Sequence, residues 1–181
     1  MSQLRDYNKA IDCFNKAIEI NPNSYVAYTK KGIALDLKNE FDDALECYNT
    51  AIDINSKYAE AYFNKGNLLK DKKEYDAAIS CFNRCIENDP RHVEAYNNKG
   101  MVLRGKKDYN GAIECHNKAI EIDPLFVDAY NRKGFVYEEK RDYDGAIKCY
   151  NDAIKIDPKY VNAYNNKVWM EFSWVLIKNF L

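Results

Sequence analysis

The chain has 181 residues, a formal net charge of −1 and 30% charged residues of both signs, so it lacks the clustered Lys and Arg of a nucleic-acid-binding protein. Its start, MSQLRDYNKA, has no signal-peptide stretch, and its most apolar segment, residues 168–181, is too short and interrupted to span a bilayer. We therefore expect a soluble, cytoplasmic protein with no nucleic-acid or membrane partner.

A 34-residue period runs through the chain. Alanine followed by tyrosine recurs at this interval at Ala27-Tyr28, Ala61-Tyr62, Ala95-Tyr96, Ala129-Tyr130 and Ala163-Tyr164. Glycine keeps the same step at Gly32, Gly66, Gly100 and Gly134, and all four prolines share one column. A fixed period of this length indicates one supersecondary unit that is stacked repeatedly.

The predicted elements are helices throughout, because apolar residues recur at spacings of three and four and the residue before each proline is steered out of helical dihedrals. A helix without a partner opens the chain near 5–20. First helices of the repeats are predicted near 25–38, 59–72, 93–106 and 127–140. Second helices are predicted near 41–54, 75–88, 109–122 and 143–156. A closing helix begins at about 161, which makes about ten helices and no strand.

These elements predict a single repeat array. A half repeat over 5–24 precedes full repeats at 25–58, 59–92, 93–126 and 127–160, and a closing helix with an apolar C-terminus occupies 161–181. Cysteines recur in the same register at Cys13, Cys47, Cys81, Cys115 and Cys149. Equivalent atoms of stacked helix pairs lie about 10 Å apart, whereas a disulfide needs Cα atoms within about 7 Å. We interpret these thiols as packing residues in a reducing compartment.

The columns resemble the tetratricopeptide repeat. One copy carries the family's pattern at Tyr62, Gly66, Leu69, Tyr75, Ala78, Phe82, Cys85 and Pro90. The resemblance covers about residues 5–167, with departures at Ser56, Cys85, His116, Val168 and Glu171. It implies an all-α, right-handed superhelix (α-solenoid) of helix-turn-helix units, in which the first helices line a concave groove that binds protein or peptide partners.

Candidate groove residues follow from this register. The second residue after each Ala-Tyr pair and the residue one turn later give a row of amide, basic, apolar and aromatic groups: Lys30, Asn64, Asn67, Asn98, Met101, Arg132, Phe135, Asn166 and Trp169. A carboxamide can pair with both the N–H and the C=O of an extended peptide, so the asparagines could hold a peptide backbone. The alternative interpretation is that asparagine is simply tolerated on a solvated surface.

The carboxylate clamp that some family members use for chaperone tails is disfavoured. The place of its third-helix lysine holds Glu94, Asp128 or Asn162, and acidic groups repel a carboxylate. No catalytic motif, metal-ligand set or cofactor motif is present around the two histidines, His92 and His116. We therefore expect a protein that is not an enzyme and needs no metal or cofactor.

The C-terminal segment abandons the repeat. Val168 replaces the glycine, and an apolar set follows that could mediate self-association: Val168, Trp169, Trp174, Val175, Leu176 and Phe180. The closing helix could pair with the opening helix of another copy, or two closing helices could pair symmetrically. The favoured function is a non-catalytic scaffold that binds an extended peptide segment. The alternatives are a self-assembling structural subunit and an arm of a larger multidomain protein.

Overall fold

The computed structural model describes the backbone of residues 2–180 and the side chains of residues 6–170. Over residues 2–180 the chain forms ten helices and no strand. They are α1 (Ser2–Ile20), α2 (Tyr25–Leu37), α3 (Phe41–Ile54), α4 (Ala59–Asp71), α5 (Tyr75–Asn88), α6 (Val93–Gly105), α7 (Tyr109–Ile122), α8 (Val127–Glu139), α9 (Tyr143–Ile156) and α10 (Val161–Phe180). The predicted all-α fold of stacked helix-turn-helix units is confirmed, and the observed first helices end one residue before the predicted ends.

The helices form two compact units, Met1–Pro90 and Arg91–Leu181. In the first unit, α2 packs on α3 and α4 on α5, while α1 covers α2 and α3 contacts α4. In the second unit, α6 packs on α7 and α8 on α9, while α7 contacts α8 and α10 covers α9. Each unit is therefore a stack of helical hairpins with one additional helix.

Local sequence determines where the second helices begin and end. The side chains of Asp108 and Asp142 accept hydrogen bonds of 3.0 Å from the backbone N–H groups of Gly111 and Gly145, which satisfies one otherwise unpaired donor of α7 and α9. At the other end, Asp123 has an extended backbone (φ −130°, ψ 96°) directly before Pro124. The proline therefore stops α7 in the way the sequence predicts.

The turn inside each full repeat has a left-handed residue that is not glycine. Its φ is 65° at Asn39, 63° at Lys73, 65° at Lys107 and 60° at Arg141. Asparagine tolerates this conformation, whereas lysine and arginine adopt it at a cost of about 1 kcal/mol. The sequence predicted a turn at these places but not this backbone conformation, because the usual glycine is missing.

The glycine column makes room for an aromatic column on the second helix. A Cβ added to Gly32 would lie 2.6 Å from the Tyr48 ring, and one added to Gly66 would lie 2.8 Å from the Phe82 ring. Tyr48 and Phe82 are fully buried, as is Tyr150 opposite Gly134 in the second unit. The glycines thus allow the two helices of a repeat to interlock, and this contact forms the centre of each hairpin.

Candidate peptide-binding face

The register of the first helices places the candidate groove residues at the surface of their units. Lys30 and Trp169 are exposed, and the others are half-buried: Asn64, Asn67, Asn98, Met101, Arg132, Phe135 and Asn166. At three of the five Ala-Tyr pairs the first residue after the pair lies deeper than the second. Thr29, Asn97 and Asn131 are buried, and Phe63 is half-buried with its ring centroid 6.3 Å from that of Phe82. At Thr29, Asn97 and Asn131 the first residue after Ala-Tyr is therefore a supporting group, whereas on α10 Asn165 is exposed and Asn166 is half-buried.

First helices of neighbouring repeats contact one another directly. In the first unit α2 contacts α4, and in the second unit α6 contacts α8 and α8 contacts α10. Each unit therefore carries a surface built from adjacent first helices. Lys30 and Asn64 lie on that surface in the first unit. Asn98, Arg132 and Asn166 lie on it in the second.

In the first unit, the Asn64 carboxamide is oriented by its own helix. Its Nδ2 donates to the Glu60 backbone oxygen at 2.7 Å and to Glu60 Oε1 at 3.1 Å. Both amide protons are therefore engaged, and Oδ1 is the atom that can accept a hydrogen bond from a ligand. The sequence suggested that such a residue would pair with both kinds of peptide group, but the geometry makes Asn64 an acceptor.

In the second unit, the corresponding carboxamide is oriented by a neighbouring helix. Asn166 Nδ2 on α10 donates to Asn131 Oδ1 on α8 at 2.8 Å, and Asn131 is only 5% exposed. This bond again engages an amide donor and leaves Asn166 Oδ1 as an acceptor. Sequence reasoning identified Asn166 but missed the supporting role of Asn131, because the 35-residue separation carries no local signal.

A polar cavity of about 480 Å³ lies between α8 and α10. It is lined by Asp128, Asn131, Arg132, Phe135, Tyr160, Asn162 and Asn166. The structure thus brings three of the predicted residues together: Arg132, Phe135 and Asn166. Tyr160, which the sequence did not single out, donates its hydroxyl proton to Asp128 Oδ1. Burial and the bond to Asp128 both raise the pKa of Tyr160, so it stays a neutral donor.

A buried polar pair lies on α6 and α7 of the same unit. Nδ1 of His116 and Oδ1 of Asn97 are 2.9 Å apart, and His116 is fully buried where other repeats carry an aromatic ring. Burial, with smaller contributions from Arg132, Arg104 and Lys133, lowers the pKa of His116 to about 3. The ring is therefore neutral, so Nδ1 carries the proton that it donates to Asn97. Its Nε2 has no hydrogen-bond partner among the described residues.

Comparison with known protein families identifies the family of this chain. The sequence profile of the tetratricopeptide repeat matches residues 2–24, 59–92, 93–126 and 127–160. A second profile, described as a TPR repeat, matches residues 37–73. The chain belongs to the tetratricopeptide repeat family. No curated protein matches the sequence significantly.

Solved structures share this tetratricopeptide fold. A crystal structure of MamA is 29% identical, with a TM-score of 0.77 over 86% of this chain and 91% of that one. A second crystal structure of MamA is also 29% identical, with a TM-score of 0.75 over 86% and 85% of the two chains. MamA from Desulfovibrio magneticus RS-1, residues 41 to the end, is 19% identical, with a TM-score of 0.76 over 85% and 87%. The last similarity concerns the fold alone.

The second-helix side of these tetratricopeptide repeats has its own clefts. A cavity of about 330 Å³ in the first unit and one of about 250 Å³ in the second share a register, with Lys31 and Cys47 in one and Lys133 and Cys149 in the other. On the same side, Lys65 Nζ donates to Asn49 Oδ1 at 2.6 Å. This bond gives a physical reason for an asparagine on the second helix, which the sequence left without one.

The cysteines of the repeat lie mostly in the packed interior. Cys47, Cys81, Cys115 and Cys149 are buried free thiols, and Cys13 is an exposed one. Burial raises the pKa of each of these four buried repeat thiols, which keeps them protonated and poorly nucleophilic. Among the residues that the structure describes, no three His, Cys, Asp or Glu side chains are grouped to hold a metal ion.

The closing helix of the tetratricopeptide stack is apolar on its outside. Val168 and Trp169 are each 63% exposed. The other predicted self-association residues lie outside the residues whose side chains are described: Trp174, Val175, Leu176 and Phe180. Within the described part of the chain, no helix combines the length and apolar character that a bilayer crossing requires.

Proposed function

We propose that this chain is a non-catalytic, cytoplasmic scaffold that binds an extended segment of a partner protein on the surface of its first helices. The observation that carries the proposal is the arrangement of the asparagines. Asn64 and Asn166 each use amide protons within the protein, at 2.7 Å and 2.8 Å, which holds the carboxamide in place and leaves its oxygen as the acceptor for a ligand. Preset groups lose little rotamer freedom on binding, which favours affinity.

The chemistry of the row suits a peptide backbone. An extended segment offers N–H donors at regular intervals, and carboxamide oxygens accept them without regard to side-chain identity. Met101 and Phe135, both half-buried, add apolar contacts that can discriminate among side chains. Membership in the tetratricopeptide repeat family supports a protein partner over other ligand classes.

The test is capture of partners from a cell extract by three forms of the protein. The groove variant combines Asn64→Ala, Asn98→Ala and Asn166→Ala. The control variant combines Asn49→Ala, Asn83→Ala and Asn117→Ala, which removes three exposed asparagines from second helices. We expect the wild type and the control to retain the same proteins and the groove variant to lose them. Equal retention by all three forms would contradict the proposal.

A second candidate function is self-association through the closing helices. Support comes from the exposure of Val168 and Trp169, both 63%, because an apolar helix face of this kind marks an interaction surface. A Cβ at Gly134 would collide with the Tyr150 ring, and Val168 occupies the equivalent place on α10. A second-type helix such as α1 of another copy therefore fits poorly there, so we favour symmetric pairing of two α10 helices.

Light scattering on purified protein separates the two candidate functions. Under self-association, the wild type has the mass of a dimer, and the combined variant Val168→Lys with Trp169→Lys has the mass of a monomer. Leu125→Lys, at a residue that is 73% exposed and not on α10, is the matched control and should leave the mass unchanged. A monomeric wild type removes this candidate. The groove variant should not alter the mass in either case.

A further inference from the structure

The opening helix α1 has the core columns of a second helix, but they are less buried than on α3. The α1 residues in these columns are Ala10, Cys13, Phe14 and Ala17, which correspond to Ala44, Cys47, Tyr48 and Ala51 on α3. On α3 all four are buried. On α1 the two alanines and the phenylalanine are half-buried, and the cysteine is exposed. We call these four residues of α1 the open face.

The open face lies on the side where a full repeat has its own first helix. In the first unit α3 contacts the first helices on both sides of it, α2 and α4, and in the second unit α7 contacts α6 and α8. Among the described helices, α1 contacts α2 alone. This contact uses Ile11, which packs on the cluster that contains Leu35 and Tyr48. The Phe14 column is directed elsewhere, toward the position of a first helix that would precede α1.

The four full repeats show what kind of helix covers such a face. In each of them the side chain in the Phe14 column packs on a glycine of the first helix, and a Cβ on Gly66 or Gly100 would come within 2.8 Å of the facing ring. A large apolar residue follows the glycine by three positions, and Leu35 and Leu69 are each only 5% exposed there. The covering helix is therefore one that presents a glycine to the ring, with a leucine one turn later.

A tyrosine four residues before the glycine is a further point of contact. The guanidinium carbon of Arg84 lies 5.8 Å from the centroid of the Tyr62 ring. Lys16 has the register of Arg84 on α1 and is exposed. An aromatic residue at the same place in a covering helix would therefore meet a cation there as well, which is a favourable contact.

We propose that the open face of α1 binds an amphipathic helix of another protein, with an aromatic residue, a glycine and a leucine at positions i, i+4 and i+7. These positions lie on one side of a helix. The glycine is opposite Phe14, and the aromatic ring is over Lys16. Helix α10 of a second copy does not meet this requirement, because Val168 stands in the place of the glycine. The interaction is separate from the proposed binding of an extended segment, whose residues lie on first helices.

The test uses Cys13 as a reporter, since it is the exposed one of six free cysteines. The probe is a peptide with the sequence of residues 58–72, held helical by a hydrocarbon staple between positions 60 and 64, away from the glycine. At a concentration about ten times its Kd, it should slow alkylation of Cys13 in the full chain about tenfold, because only the uncovered fraction reacts. The same peptide with Gly66→Val should slow it about twofold or less at that concentration, because overpacking weakens binding about tenfold or more.

Three variants of the full chain locate the bound peptide. Phe14→Lys should lose the protection of Cys13. Asn8→Lys adds the same charge at an exposed residue on the far side of α1 and should keep the protection. The groove variant of the proposed function should keep it too. Circular dichroism checks that Phe14→Lys is folded, and the comparison of the two peptides tests the inference without any change in the protein.

Each other outcome overturns the inference. Equal protection by both peptides, or no protection by either, would mean that the open face does not select a helix with glycine. Protection that is lost in the groove variant would place the peptide on the first helices instead. Slow alkylation without peptide that becomes faster on dilution would show that a second copy covers α1. The proposed function is judged separately, by partner capture with the groove variant, so either can fail while the other stands.

Discussion

The two units share one fold but support their first-helix surfaces with different chemistry. In the first unit, the position directly after Ala-Tyr holds Thr29, which bonds to its own helix at Tyr25 O, 3.0 Å away, and Phe63, which packs near Phe82. In the second unit, the same position holds Asn97 and Asn131, whose side chains bond across to other helices. The repeat pattern therefore determines the backbone of both units. The variable position after Ala-Tyr determines whether the first-helix surface rests on local and apolar contacts or on buried polar bonds between helices.

The largest expected loss of stability comes from a substitution that disrupts a contact found in both units, the one between the glycine and the aromatic ring. A valine at Gly66 would place a Cβ 2.8 Å from the Phe82 ring, and Phe82 is fully buried. We expect Gly66→Val to reduce the free energy of unfolding by about 3 kcal/mol or more. Chemical denaturation followed by circular dichroism measures it.

Val168→Gly is the matched control for this contact. It makes the reverse change at the same register position on α10, where Val168 is 63% exposed. We expect it to cost about 1 kcal/mol or less, the intrinsic penalty of glycine in a helix. If Gly66→Val is equally mild, the interlocking of glycine and ring is not what holds the hairpins together.

The second prediction is that the stability contributed by His116, in the second unit, depends on pH. The pKa of His116 is lowered to about 3 in the folded chain, below its unfolded value of about 6.5. The unfolded chain therefore binds the extra proton first. The stability contributed by the neutral ring is complete above pH 6.5 and falls as the pH drops toward 3, by about 3 kcal/mol at pH 4. Tyr48 and Phe82, in the same column of the first unit, do not titrate in this range.

The combined variant Asn97→Phe with His116→Phe transplants the Phe63–Phe82 pair of the first unit into the second. We expect it to lose less stability than the wild type between pH 7 and pH 4, with the difference approaching the contribution assigned to His116. Urea denaturation at both pH values gives the comparison, and carboxylate titration cancels because it is common to both proteins. Parallel pH dependence would mean that His116 is protonated without cost in the folded state.

The smallest expected effect concerns two turns within the first unit. Asn39 and Lys73 occupy the same left-handed position, with φ of 65° and 63°, but only asparagine tolerates it well. We expect Lys73→Asn to stabilise the protein by about 0.5–1 kcal/mol and Asn39→Lys to destabilise it by a similar amount. Thermal unfolding of both variants measures the pair. Shifts of the same sign would show that side-chain contacts, rather than backbone conformation, dominate at these turns.

Much of the fold could be predicted from the sequence because the repeat is defined by residues that are close together in the chain. The helical apolar period and Pro124 predicted the ends of α7. The glycine at Gly66 predicted a close contact between two helices. The left-handed turns were not predicted, since Lys73, Lys107 and Arg141 give no sign of positive φ. Periodicity indicates which residues share a helix face, but it does not indicate the backbone conformation of a single turn residue.

The candidate site was less accessible to sequence reasoning. The row positions of Arg132, Phe135 and Asn166 could be read from the register, and the structure gathers them around one cavity. The supporting bonds from Asn131 to Asn166 and from Tyr160 to Asp128 could not, because each joins residues more than 30 positions apart. Such pairs are set by the stacking of neighbouring repeats rather than by any local pattern.

The most direct test of the account is photo-crosslinking in living cells from two matched positions. A photoreactive phenylalanine analogue replaces Phe135, which lines the cavity between α8 and α10, or Phe41, which is 38% exposed at the start of a second helix. We expect a covalent adduct with a partner protein from position 135 and none from position 41. Adducts that form from position 41 but not from position 135 would contradict the assignment of the first-helix surface as the binding face.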